Sequence, residues 1–205
     1  MYRCVATTAE GFVQQLAVSY IVHGYWFYAL GSVPGHKDPE AVDQKLIAAY
    51  GIDISKWARA RRKRAGLANV HYLRFERTFV LIATKGEHKF FEEERYRDVR
   101  RDSIHFAGYS IGYKRDGGGK WHASVRIHPD TYRELKAYFL EMASRRKPAE
   151  LIRELSAIPY ARFAPVRAQL LCIVRAVNEM RELAGLEPVQ RFDLSLSRTP
   201  TTVFF

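Results

Sequence analysis

Residues 103–130 read SIHFAGYSIGYKRDGGGKWHASVRIHPD and carry the clearest β and helix-start signals of the chain. Two segments rich in β-branched and aromatic residues, Ser103 to Tyr113 and Trp121 to His128, flank Asp116-Gly117-Gly118-Gly119. Glycine supplies the positive φ that tight hairpin turns demand, so the spacing predicts two antiparallel strands. Pro129 ends the second strand, and Asp130 with the Thr131/Glu134 capping box opens a helix whose Tyr132, Leu135, Phe139 and Met142 share one stripe.

The same logic runs outward in both directions. On the N-terminal side, Glu10 to His23 is predicted helical, opened by a Thr7/Glu10 box with Phe12, Leu16 and Tyr20 on one face. Gly24 leads into a strand from Tyr25 to Val33. Asp38, Pro39 and Glu40 start a helix that Gly51 stops, with Val42, Leu46, Ile47 and Tyr50 as its buried stripe. Asn69 to Thr84 alternates and then turns solidly apolar from Phe79 to Ala83, as one long bent strand or two. On the C-terminal side Pro148 starts a short helix through Leu151, Ile152 and Leu155. Pro165 starts a long one with Val166, Leu170, Ile173, Val174, Val177 and Met180 facing inward up to Gly185. The tail alternates at Phe192, Leu194 and Leu196 and ends in Val203-Phe204-Phe205.

The expected architecture is α+β: a mostly antiparallel sheet, built from strands near residues 25, 72, 81, 105 and 124, covered on one face by helices, with a helical segment at the C-terminus. Residues 1–128 form a mixed helix and strand region for nucleic-acid binding. It carries a basic helix at 55–66 and the hairpin at 103–128. Residues 129–205 form a helical region packed on the sheet within the same domain.

Charge decides the function class. The chain has 205 residues, 33 Lys and Arg against 22 Asp and Glu, and a formal charge of +11. Six cations crowd into nine residues, at Lys56, Arg59, Arg61, Arg62, Lys63 and Arg64, with no acid among them. Like charges at such spacing weaken the helix that bears them, so an external polyanion is expected to neutralise them. Nucleic acid fits best, because phosphate contacts by Lys and Arg release condensed counterions. The basic residues recur in several places instead of in one tail beside a lipid anchor, and no run reaches the roughly 18 apolar residues of a membrane span. The opening lacks the ordering of a secretory signal, and a cytoplasmic location is the expectation. Cys4 and Cys172 stand apart with no zinc or disulfide spacing.

A second basic group, Arg95, Arg97, Arg100 and Arg101, interleaves Tyr96, as backbone contact plus stacking requires, although Asp98 and Asp102 offer it partners. The hairpin displays Tyr109, Tyr113, Lys114, Arg115, Lys120 and Trp121 for groove entry or base stacking. On the return strand His122, Ser124, Arg126 and His128 share one face over about 20 Å, a nucleic-acid platform or a plain solvated face.

A catalytic reading stays open. It makes His122 and His128 proton-handling or metal-binding groups of a nuclease, nickase or transposase-like enzyme, with Mg²⁺ held by Glu92 to Glu94 and Asp98. No His-apolar-His pair, HExxH, phosphate loop or dinucleotide fingerprint accompanies it, and otherwise no cofactor is expected. A third reading makes the chain an interaction subunit of a mobile-element or other nucleoprotein complex, docking a protein partner or a second copy through Val203, Phe204 and Phe205. The segment FAGYSIGY lacks the basic residue that an RNA-recognition strand carries before its glycine, and no family is assigned on it.

Overall fold

The computed structural model describes residues 2–190, 194 and 201–204, so the expected tail positions Phe192, Leu196 and Phe205 lie outside the described residues. The fold is α+β, with seven α-helices among the described residues and two antiparallel sheets. The chain divides into two compact units. One comprises Met1–Ile104, Ile111–Ser124 and Thr201–Phe205, the other His105–Ser110 and Val125–Pro200. No helix among the described residues is long and apolar enough to cross a membrane.

The first unit is built on a sheet of β1 (Tyr25–Ser32), β2 (Val70–Phe75), β3 (Thr78–Thr84) and β4 (Arg97–Asp98), in the order β2-β3-β1-β4. β3 is central, which explains its unbroken apolar run: Val80, Leu81, Ile82 and Ala83 are all buried. The Asn69 to Thr84 passage is two strands because Glu76 turns the chain at φ 51°. β1 pairs with β3 on one side, Tyr28 facing Ile82, and with β4 on the other, Phe27 facing Asp98. Both of its edges are therefore filled. On β2, the segment around Val5 takes the outer edge, with Ala6 N donating to Arg74 O and Arg74 N to Cys4 O, each at 2.7 Å. The hairpin strands form a second sheet, β5 (Ile104–Phe106), β6 (Tyr109–Arg115) and β7 (Trp121–Ile127), in that order.

Helix starts follow the sequence with two corrections. Thr8, not Thr7, caps α1 (Ala9–Gln14), its hydroxyl accepting from Gly11 N. The helix continues through a π turn and a 3₁₀ turn to Gly24, at φ 94°, and buries Phe12, Leu16 and Tyr20 as expected. Asp38 caps α2 (Pro39–Ala49) as expected, yet the stripe of α2 has Asp43 at its buried centre in place of Val42. The acid is tolerated there because Arg74 of β2 and the Tyr72 hydroxyl both reach it. α4 (Phe90–Glu93) is a single turn in the charged connector.

In the second unit, His128 rather than Asp130 caps α5 (Pro129–Met142), its Nδ1 accepting from Asp130 N, so Pro129 is the first helical residue. α6 (Pro148–Ala157) and α7 (Ala164–Leu183) bury Leu151, Leu155, Val166, Leu170, Ile173, Val174 and Val177, and α5 buries Phe139. Met180 does not face inward. Arg181 is buried instead, because its guanidinium finds the carbonyls of Ala143, Arg146 and Glu187.

Candidate nucleic-acid interface

The basic helix α3 (Lys56–Arg64) forms because Ser55 accepts from Ala58 N and Gly66, at φ 77°, stops it. It buries no side chain, so hydrophobic packing does not hold it down. Two of its own arginines do. Arg59 donates to the carbonyls of Ile52 and Val70, and Arg62 donates to Ala68 O at 3.0 Å. Asn69 returns the contact by donating to Arg59 O at 3.0 Å.

The six cations thus split by function. At about 100° per residue, Arg59 and Arg62 fall on the inner side, and Lys56, Trp57, Arg61, Lys63 and Arg64 span an outer arc of about 160°. Lys56, Arg61, Lys63 and Arg64 are exposed, and no salt bridge among the described residues engages them. Trp57 lies among them with 78% of its surface exposed. Trp57 is not among the site residues expected from the sequence, where charge alone marked this helix. Its position on the outer arc, one turn from Arg61 and two from Arg64, is the signal that helical arithmetic would have supplied.

The second arginine group is more heavily engaged. Arg100 clamps Asp98 through both carboxylate oxygens, Nη2 to Oδ2 at 2.6 Å. Burial alone would raise the Asp98 carboxyl, but the side-chain and backbone hydrogen bonds from Arg100 win and hold it below the usual carboxylate range. Arg97 pairs across to Tyr28 in the β1–β4 ladder. Arg95 and Arg101 are exposed.

Beside this clamp the hairpin builds a stack. Trp26 of β1 lies on Tyr113 of β6 at 5.9 Å between ring centroids and 28° between planes, and Tyr113 lies on Trp121 of β7 at 5.3 Å and 16°. The Arg100 guanidinium sits 4.5 Å from the Trp26 ring and that of Arg115 5.2 Å from the Trp121 ring. The groups therefore adjoin in the order Arg100, Trp26, Tyr113, Trp121, Arg115. Sequence reasoning named four of the five and missed Trp26, whose strand pairs with β4 and not with the hairpin. At the turn Asp116 Oδ1 accepts from Gly118 N and Lys120 N, which holds Lys114, Arg115 and Lys120 at an exposed tip.

Other expected contacts lie elsewhere. Tyr109 is buried and its hydroxyl accepts from Ala161 N at 2.7 Å, so it is a packing residue of the second unit. Arg126, also in that unit, is exposed and lines a cleft with Tyr132, Arg133 and Gln169. Ser124 is buried, so the polar row expected along β7 is interrupted. His122 is exposed on the first unit. His128 is spent as the cap of α5 and rests edge-on against His105 at 4.5 Å in the second.

Of the carboxylates named for Mg²⁺, Asp98 is held by Arg100, and Glu93 and Glu94 have partners of their own. Glu94 accepts from the Tyr50 hydroxyl at 2.5 Å and Glu93 faces Lys89 at 3.7 Å. Among the described residues no group of His, Cys, Asp and Glu gathers at metal-binding distance. No family model, curated protein or solved structure matches this chain.

Proposed function

We propose that the protein binds nucleic acid through the outer face of α3. One observation carries the reading: four exposed cations without salt-bridge partners among the described residues surround a tryptophan that the fold leaves 78% exposed. A helix designed only for solubility would intersperse acids and bury its one large apolar group. Here the cations offer phosphate contacts and the indole offers a stacking face, the pairing that proteins use on polynucleotides. Arg59 and Arg62 support this by holding the helix from behind, so that the outer side chains are presented without an apolar seam. The exposed Arg95 and Arg101 and the hairpin tip add positive charge to the same unit.

The test is fluorescence anisotropy with labelled single-stranded DNA, duplex DNA and structured RNA over a range of salt. Replacing Lys56, Arg61, Lys63 and Arg64 with serine lowers affinity for every probe. It also reduces the slope of log affinity against log salt by up to about three to four units. Equal affinity and slope in the variant at every salt refute the assignment.

A further inference from the structure

The stack of Trp26, Tyr113 and Trp121 has a feature that internal packing does not require: its outermost ring is left partly open. Trp121 is 38% exposed, and the group over it is Arg115, a long side chain at an exposed hairpin tip. The inner end is fixed by contrast. Arg100 is locked on Asp98 through two carboxylate oxygens and lies over Trp26, itself held in β1 between β3 and β4. A rigid aromatic column with one movable cation on its outer ring is a stacking platform closed by a displaceable group.

We infer that Trp121 is a stacking position for an unpaired nucleobase, and that the incoming base replaces Arg115 over the indole while Arg115 turns to the phosphate beside it. A cation over an exposed ring contributes less than a base stacked on one, so the exchange favours the base. The released guanidinium then makes a charge-assisted contact of a kind that no salt bridge among the described residues gives it. Lys114 and Lys120 flank the site and follow the backbone of the strand. A duplex hides its base faces, so the site selects single-stranded segments. The inference rests on the nucleic-acid reading of α3 and adds to it the class of polymer.

The experiment uses the full chain with Trp57→Phe, so that emission comes from Trp26 and Trp121. It is titrated with an oligothymidylate, an oligouridylate, a duplex, and an abasic strand of equal charge. The expected result is quenching by thymidylate or uridylate and tighter binding of that strand than of the abasic one. Trp121→Ala then weakens the base-bearing strand by about 5- to 150-fold while leaving the abasic affinity in place, and Trp121→Phe restores most of the loss. No loss with Trp121→Ala, or an equal loss on both strands, overturns this inference alone, whereas equal binding of base-bearing and abasic strands overturns it together with the stacking role of Trp57. Binding of no strand at low salt overturns it together with the reading of α3. Unchanged melting of Trp121→Phe shows that the platform, not folding, is being measured.

Discussion

Arg74 Nε lies 2.7 Å from Asp43 Oδ1, and both side chains are almost wholly buried, joining the edge strand β2 to helix α2. The Tyr72 hydroxyl donates to the same oxygen at 2.6 Å, and the Arg74 Nη2 reaches the second oxygen at 2.7 Å. Beside them the Cys4 thiol is pushed up to about 11, first by burial and then by the Asp43 charge, and stays protonated. Removing one partner strands the other charge in the interior. Asp43→Ala is therefore expected to lose about 3–5 kcal/mol in urea denaturation, and the paired change Asp43→Leu with Arg74→Met to be more stable than either single variant. A double variant as weak as the singles added together rejects that account.

The split of α3 into two faces separates stability from binding. Trp57→Ala changes an exposed side chain, so its unfolding free energy stays within about 0.5 kcal/mol of the native protein while single-strand affinity drops. Arg59→Ala and Arg62→Ala leave the carbonyls of Val70 and Ala68 without their donor and lower the melting temperature. Calorimetry beside binding titrations checks both halves, and a Trp57→Ala protein that melts early contradicts the assignment of faces.

His71 makes stability depend on pH. Its ring stacks on Tyr20 at 4.5 Å, faces Tyr25 and Tyr2, and shares a 2.8 Å hydrogen bond with the Tyr2 hydroxyl. Burial, and then the nearby Arg59 charge, lower it from 6.5 to about 3. A histidine lowered on folding leaves the unfolded chain with more protons in the window between those values. The stabilisation is complete above about pH 6.5 and is lost as the pH falls toward 3. At pH 5 the loss amounts to about 2 kcal/mol, and His71→Gln flattens this part of the profile in urea titrations at pH 7.5, 6 and 5.

The tail residues Thr202 and Val203 pair with the start of the same chain, Thr7 N donating to Val203 O at 3.0 Å and the Thr7 hydroxyl to Thr202 O at 2.8 Å. Removing residues 201–205 is expected to lower the melting temperature by several degrees with no change of mass in light scattering. A fall in mass assigns the tail to assembly between copies.

The elements legible in the amino-acid sequence are those whose signals are local. The hairpin around Asp116 to Gly119, the Asp38 and Ser55 caps and the inward stripe of α7 depend on turn chemistry and periodicity within a few residues of each other. The cationic run of α3 was equally plain, because charge is a property of composition. Which of its arginines are tied back to the fold depends on tertiary packing, since the carbonyls of Ile52, Ala68 and Val70 that hold Arg59 and Arg62 come from outside the helix. The same holds for Asp43, an acid on an apolar stripe made tolerable by Arg74, 31 residues away. Trp26, Tyr113 and Trp121 come from three strands in two sheets, so their stack exists only once strands far apart in the chain are brought together. Local patterns specify elements, but which partners reach a side chain depends on contacts between residues far apart in the chain.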